Sequence, residues 1–325
     1  MLSAGPRRNC QPRAVVPLIS VPTAFDIPLE GPKGEPVDLI RTITSHGVAD
    51  LPPGHIDEEA RTYTTTLVLP TAQPRTVLIR EGRPSFARVE IGGRKLSARA
   101  SRELTAAVHQ ILNLNEDLSE FYALVRNDPE LSWAADGAGR MLRTPTVFEA
   151  VVKTVCTTNV AWSATVRMVR ALVDNLGEQA TGSKARAFPT PEAMAASPES
   201  FYRNIVRAGY RSAYLRSLAV GVAEGTISLE ELGASNDLPD DEVAARLLAL
   251  PGIGPYGAAH LMMLLGRHSR LILDSWTRPK YARLNGRKAT DKTIERRFRR
   301  YGDYAGLAFW LYLTRDWVVE RPSLG

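Results

Sequence analysis

The stretch Leu250-Pro251-Gly252-Ile253-Gly254-Pro255-Tyr256-Gly257-Ala258 decides the reading of this chain. An amphipathic helical segment with Val243, Leu247 and Leu248 precedes it, and a second apolar segment with Ala259, Met262 and Met263 follows. Two glycines two residues apart permit a turn too tight for a Cβ, so residues 240–266 read as a helix-hairpin-helix. The turn leaves N–H groups of Gly252, Ile253, Gly254 and Tyr256 near the start of the second helix, where the dipole is positive and a phosphate fits. An ordinary glycine turn between two core helices has the same local pattern. The charge downstream favours the phosphate: Arg267 to Arg300 holds twelve Lys or Arg against Asp274, Asp291 and Glu295. Its densest part, Arg296-Arg297-Phe298-Arg299-Arg300, reads equally as a phosphate-binding surface or as a solvated helix face.

Asp274 follows the apolar triplet Leu271-Ile272-Leu273 and precedes Ser275-Trp276. A carboxylate at the edge of an apolar segment is partly desolvated, so its charge is available to orient water or to oppose a developing cation. The same position suits an N-cap for a helix over 275–284, and the residues alone leave both roles open.

Working outward, the chain changes texture near residue 98. Up to Gly93 it is punctuated by Pro and Gly, with strand-like runs at 15–20, 63–69, 75–80 and 85–91 and one helix over 37–46. Beyond Ala98 the apolar spacing is helical, with Ser101 as a candidate N-cap and Leu104, Ile111 and Leu112 on one stripe. Further helices are expected at 116–126, 145–158, 161–176, 198–208, 213–223, 278–284 and 291–316, the last broken near Gly302. The fold class is therefore α+β: a loose tail over 1–13, a small antiparallel β-rich N-terminal domain over 14–98, and an all-helical body over 99–325.

The 325 residues carry 41 Lys and Arg against 35 Asp and Glu, a net charge of +6 that favours a polyanionic partner. The longest nearly apolar run, Gly257 to Leu265, is far shorter than the roughly 20 residues that cross a bilayer. No apolar stretch follows Arg7 and Arg8, so a secretory signal is not expected, and a cytoplasmic, nucleoid or nuclear location is. Two cysteines, Cys10 and Cys156, cannot build a four-thiolate centre, and five histidines lack metal-ligand spacing, so no metal site is expected.

The hairpin and Asp274 together resemble the helix-hairpin-helix, Gly/Pro-loop, Asp superfamily of DNA base-excision glycosylases, in its 3-methyladenine glycosylase II and 8-oxoguanine glycosylase-like branch. Further segments carry the likeness. Arg143-Thr144-Pro145 to Thr158-Asn159 is similar to the family's domain-entry helix, and Cys156-Thr157-Thr158-Asn159 to the segment whose Asn fills the space left by a flipped base. Ala208-Gly209-Tyr210-Arg211-Ser212-Ala213-Tyr214 resembles the element whose Tyr wedges into the stack, and Tyr304 to Trp310 the final helix. The resemblance implies that Asp274 is catalytic and that Gly252, Ile253, Gly254, Tyr256, Asn159, Tyr210 and Arg211 contact DNA. Trp162, His260 and Trp276 are candidates for the base pocket.

Departures from the family pattern refine the expectation. Bifunctional members carry a Lys where this chain has Tyr256, and a phenol cannot form a Schiff base with the sugar. Ile272 stands where Pro is usual, and Ala164 where guanine-oxidation enzymes present an Arg to the orphaned cytosine, leaving Arg211 as the remaining member of that pair. The expected protein is a monofunctional DNA glycosylase that releases a damaged base, an alkylated purine, from double-stranded DNA. The alternatives are an oxidised-purine glycosylase and a non-catalytic helix-hairpin-helix DNA-binding protein. No cofactor is expected beyond a monovalent cation at the hairpin, at Gly252 and Gly254. The protein is expected to act as a monomer away from membranes.

Overall fold

The computed structural model describes residues 23–234 and 238–318. The tail over 1–13, the strand-like run at 15–20 and Cys10 lie outside these residues. Five strands, β1 Thr23–Pro28, β2 His55–Asp57, β3 Thr62–Leu69, β4 Ala72–Glu81 and β5 Phe86–Ile91, form one antiparallel sheet in the order β1-β5-β4-β3-β2. The runs at 63–69, 75–80 and 85–91 fall within β3, β4 and β5, where alternating side chains turn Tyr63, Val77, Ile79 and Val89 inward.

The helices are α1 Leu39–Ile43, α2 Ala98–Ile111, α3 Ser119–Val125, α4 Val147–Thr157, α5 Trp162–Leu176, α6 Pro191–Ala195, α7 Glu199–Asn204 and α8 Arg211–Ala223. They continue with α9 Glu230–Ala234, α10 Asp240–Leu248, α11 Pro255–Leu264, α12 Thr277–Leu284, α13 Asp291–Phe298 and α14 Ala305–Thr314. The mixed α+β class is thus realised. None of the helices among the described residues is long and apolar enough to cross a membrane.

Two local expectations are corrected. The helix over 37–46 is only the five-residue α1, followed by a 3-10 turn at Gly47–Asp50. Asp38 caps α1 by accepting from Arg41 N at 2.9 Å, and Thr44 Oγ1 turns back to the Ile40 carbonyl at 2.6 Å, which closes the helix after little more than one turn. The cap of α2 is Ser97, whose hydroxyl accepts from Ala100 N at 3.2 Å, and not Ser101, which lies inside the helix.

Two hydrophobic cores result. One joins the sheet to α1 and α2 through Val77, Ile79, Val89, Leu104, Val108 and Ile111. The other gathers the helical body around α4, α11 and α14. Polar bonds stitch the two together: Arg140, fully buried, pairs with Glu35 at 2.7 Å, and His46 Nε2 meets the Leu142 carbonyl at 2.8 Å. Trp310 Nε1 of α14 donates to the Ser45 carbonyl at 2.8 Å. The loop over 31–36, without assignable chemistry in the sequence, thereby supplies Glu35, which also accepts from Lys33 N and Leu118 N.

Candidate active site

Helices α10 and α11 form the hairpin. Gly252 has φ +80°, and a Cβ built on it would lie 2.9 Å from Tyr214 Cδ2, so this position requires glycine for its backbone and for space. Gly254 differs from expectation. Its φ of −107° and ψ of −174° are extended, and nothing lies within 4 Å of a Cβ added there, so the turn itself does not demand glycine at this point. Ile253 is buried in the helical core, and its N–H is already given to the Leu250 carbonyl at 3.2 Å. The α11 ladder opens with Ala258 N donating to the Gly254 carbonyl at 2.9 Å, and Pro255 at the first position has no N–H. The N–H groups of Tyr256 and Gly257 therefore stand ahead of the ladder at the positive end of the helix.

Asp274 occupies the loop between α11 and α12. Its Oδ1 accepts from Trp276 N at 2.8 Å and Thr277 N at 2.6 Å, while its own N–H is given to Thr277 Oγ1 at 2.8 Å. The cap role and the availability of the charge thus coexist: one carboxylate oxygen starts α12, and Oδ2 takes no hydrogen bond among the described residues. Ile272 is buried in the core and anchors the loop from the apolar side. Thr277, also buried, completes the cap and had no signal in the sequence.

Tyr256 is half-buried, with its hydroxyl enclosed beside Thr157. Burial pushes the phenol well above its ordinary range and the negative charge of Asp274 pushes it further, so it stays protonated. Its ring stacks on His260, one helical turn on, at 6.1 Å between centroids. His260 is fully buried, and burial, assisted by His46, holds its imidazole down to about 3. Trp276 is half-buried and meets Trp310 and Trp317, each at 5.6 Å between centroids. Trp162 opens α5 three residues past Asn159 and packs against the helical core from that side.

A second group stands beside the hairpin. Asn159 is exposed at the end of α4 in a left-handed backbone with φ +44°. Tyr210 is 57% exposed at the start of α8, and Tyr214 is 40% exposed, the two rings meeting edge to face at 6.1 Å. Arg211, expected at the DNA surface, is buried instead. Its guanidinium donates to the Thr158 carbonyl and to Thr158 Oγ1, and it lies 4.4 Å from the Tyr210 ring. Tyr214, which closes the Gly-Tyr-Arg element without a role of its own in the sequence, links this group to Gly252.

The basic run resolves into two kinds of residue. Arg297 is committed to Glu130 at 2.7 Å and the exposed Arg300 to Asp128 at 3.1 Å, whereas Arg296 and Arg299 are exposed and make no ion pair among the described residues. Cys156 is a fully buried thiol that burial pushes up to about 12, and no group of three or more metal-ligating side chains occurs among the described residues.

Comparison with protein-family profiles gives no match. A DNA-3-methyladenine glycosylase of Bacillus subtilis is 27% identical over 165 residues, which are 50% of this chain and 54% of that protein. The chain thus spans about half the length of the curated relative it matches. Among solved structures, a 3-methyladenine DNA glycosylase from Archaeoglobus fulgidus superposes with a TM-score of 0.68 at 20% identity, over 89% of this chain and 97% of its own. An 8-oxoguanine glycosylase/lyase from Clostridium acetobutylicum does so with a TM-score of 0.65 at 19% identity, over 87% and 93%. The likeness that the hairpin and Asp274 announced extends through sheet and helices alike, and the chain has the fold of the helix-hairpin-helix DNA glycosylases.

Proposed function

We propose that this chain is a monofunctional DNA glycosylase of base-excision repair, hydrolysing the N-glycosidic bond of a damaged base, an alkylated purine, in double-stranded DNA. The observation that carries the reading is the Asp274 carboxylate, with one oxygen fixed by the start of α12, the other unbonded among the described residues, and its charge near enough to act on the Tyr256 phenol. The hairpin N–H groups, with Arg296 and Arg299, would grip phosphates without regard to sequence. Tyr210 and Asn159 would enter the duplex as the base turns out, with Arg211 holding the two together from behind. Trp276 and His260, and from the Asn159 side Trp162, are the side chains available to receive the base.

As the C1′–N bond stretches, positive charge develops on the sugar. Asp274 Oδ2 would oppose that charge and orient the attacking water. A cationic alkylated base leaves with little acid assistance, which suits a site in which Tyr256 stands where an amine nucleophile would have to be. No cofactor takes part. A monovalent cation at the hairpin would use the Gly252 carbonyl and the second lone pair of the Gly254 carbonyl, the first being given to Ala258 N.

The division into 14–98 and 99–325 belongs to the same reading, with α2 as the seam, since it packs on the sheet core. We take the protein as a monomer acting on DNA in the cytoplasm, nucleoid or nucleus. Incubation with duplexes each carrying a single alkylated or oxidised purine, followed or not by alkali, tests the function. Release of the alkylated base with strand breaks only after alkali is expected, and no release from any duplex would leave a DNA-binding protein.

A further inference from the structure

Contacts leading away from Asp274 close into a circuit. Trp276 N donates to Asp274 Oδ1 at 2.8 Å, the Trp276 ring meets Trp310 at 5.6 Å, and Trp310 Nε1 donates to the Ser45 carbonyl at 2.8 Å. His46, next in the chain, meets His260 edge to face at 5.8 Å, and His260 stacks on Tyr256, which feels the charge of Asp274. Four separate segments of the chain are therefore linked to the carboxylate by one run of contacts. Within this run of contacts His46 Nδ1 and both ring nitrogens of His260 are buried without a hydrogen-bond partner among the described residues. Buried polar atoms are nearly always paired, and three unpaired nitrogens on two touching rings call for a partner.

The chemistry of the wall follows from its protonation. Burial holds His260 down to about 3 and His46 to about 4, so both rings are uncharged at neutral pH. His46 Nε2 lies 2.8 Å from the Leu142 carbonyl, which only accepts, so Nε2 carries the hydrogen and Nδ1 presents a lone pair. A neutral His260 adds one lone pair and one N–H. The unpaired positions thus include two strong acceptors, neither of which is hydrogen-bonded to a donor among the described residues.

We infer that His46 and His260 form a base-reading wall that selects damaged purines bearing an exocyclic amino group, whose N–H fills one of these lone pairs. The inference rests on the glycosylase reading of Asp274 and deepens it by naming the substrate class. A purine without the amino group leaves a buried acceptor unpaired, the form of discrimination that polar sites achieve best. Tyr256, the half-buried member of the wall, is the side chain whose displacement admits the base. His46 is a specificity residue supplied by the segment after α1, far in sequence from the hairpin.

The test compares duplexes whose alkylated purines differ only by an amino group: 7-methyladenine against 7-methylpurine, and 7-methylguanine against 7-methylhypoxanthine. Each enzymatic rate is divided by the spontaneous release rate of the same duplex, which removes differences in leaving ability. The parent is expected to favour at least one amino-bearing member by about tenfold. His260→Leu, which breaks no hydrogen bond of the free protein, should keep or raise the melting temperature and shrink that preference to about twofold or less. His46→Phe should shrink it likewise, with binding to an abasic-site duplex unchanged in both. Release without amino preference in the parent, or a preference untouched in folded His260→Leu, overturns the inference while leaving the glycosylase reading intact. Absence of release from every duplex overturns both.

Discussion

Asp274→Asn separates the charge of the carboxylate from its geometry. In the native loop Oδ1 accepts from Trp276 N at 2.8 Å and from Thr277 N at 2.6 Å. An amide oxygen can take both bonds, so the fold loses only the difference between charge-assisted and neutral hydrogen bonds, about 1 kcal/mol each and about 2 kcal/mol together. That corresponds to a melting temperature lower by a few degrees in a protein of this size. The reaction loses the full negative charge on Oδ2. Removing one preorganised electrostatic group of this kind costs about 3–4 kcal/mol, or roughly 10²–10³ in rate. Single-turnover base release from a duplex with one methylated purine should fall by that factor, while affinity for the duplex, measured by fluorescence anisotropy, changes by less than about twofold. Asp274→Ala should show the same loss of rate and a further drop in stability of about 0.5–2 kcal/mol, because both N–H groups lose their acceptor. A folded Asp274→Asn protein that releases base within tenfold of the parent would refute the catalytic assignment.

The two hairpin glycines should part company. Gly252→Ala meets a left-handed backbone and the Tyr214 ring and should cost at least about 1–2 kcal/mol in chemical denaturation. Gly254→Val should fold normally by circular dichroism yet bind all duplexes about tenfold more weakly, and unchanged binding would make the hairpin a connector only. Glu35→Ala should destabilise by about 3–5 kcal/mol through the unpaired Arg140. Burial raises the Glu35 carboxyl, but the N–H groups of its own loop, Lys33 and Leu118, together with Arg140, outweigh this and hold it below its ordinary value. Its contribution is therefore complete above the unfolded value of about 4.3 and lost as pH falls through the lower folded value, so the stability gap between parent and Glu35→Ala should narrow only below about pH 4. Borohydride added during turnover should trap no protein–DNA adduct: Tyr256 has no amine, Lys153 is buried against Glu149 at 2.7 Å, and Lys280 is held by Asp316 at 2.7 Å. An adduct on a denaturing gel would overturn the monofunctional reading.

Much of the fold is legible because hairpin glycines, strand alternation and helical spacing are local signals. β3 to β5, α4, α5, α8 and α10 to α14 all fall where the apolar period places them. Short elements escape, since one turn of helix such as α6 or α9 spans too few residues to show a period, and the bounds of α1 are overrun for the same reason. Of the candidate site, the hairpin and Asp274 could be read because each has a fixed place along the chain. The inward turn of Arg211 could not, because the Thr158 carbonyl that captures it is 53 residues away. His46 carries no sequence signal at all, and Tyr214, though it closes the Gly-Tyr-Arg element, carries none for a role of its own; both become functional candidates only through neighbours that the tertiary fold brings to them. The distinct roles of Gly252 and Gly254 are also invisible in the letters, since backbone angles and not residue type tell them apart.

The capture of Arg211 by Thr158 has a consequence for how a duplex would be searched. Through this one guanidinium the turn bearing Asn159, the exposed ring of Tyr210 and, by way of Tyr214, the hairpin are joined before any DNA arrives. A probe assembled in advance owes no ordering entropy at the moment of contact, so its bound lifetime depends on how readily the duplex yields to it. Stacked, well-paired steps resist such a fixed shape, and weakened ones give way. A protein gripping the backbone through the hairpin while pressing this rigid feature into successive steps would sense mechanical softness first and base identity only afterwards.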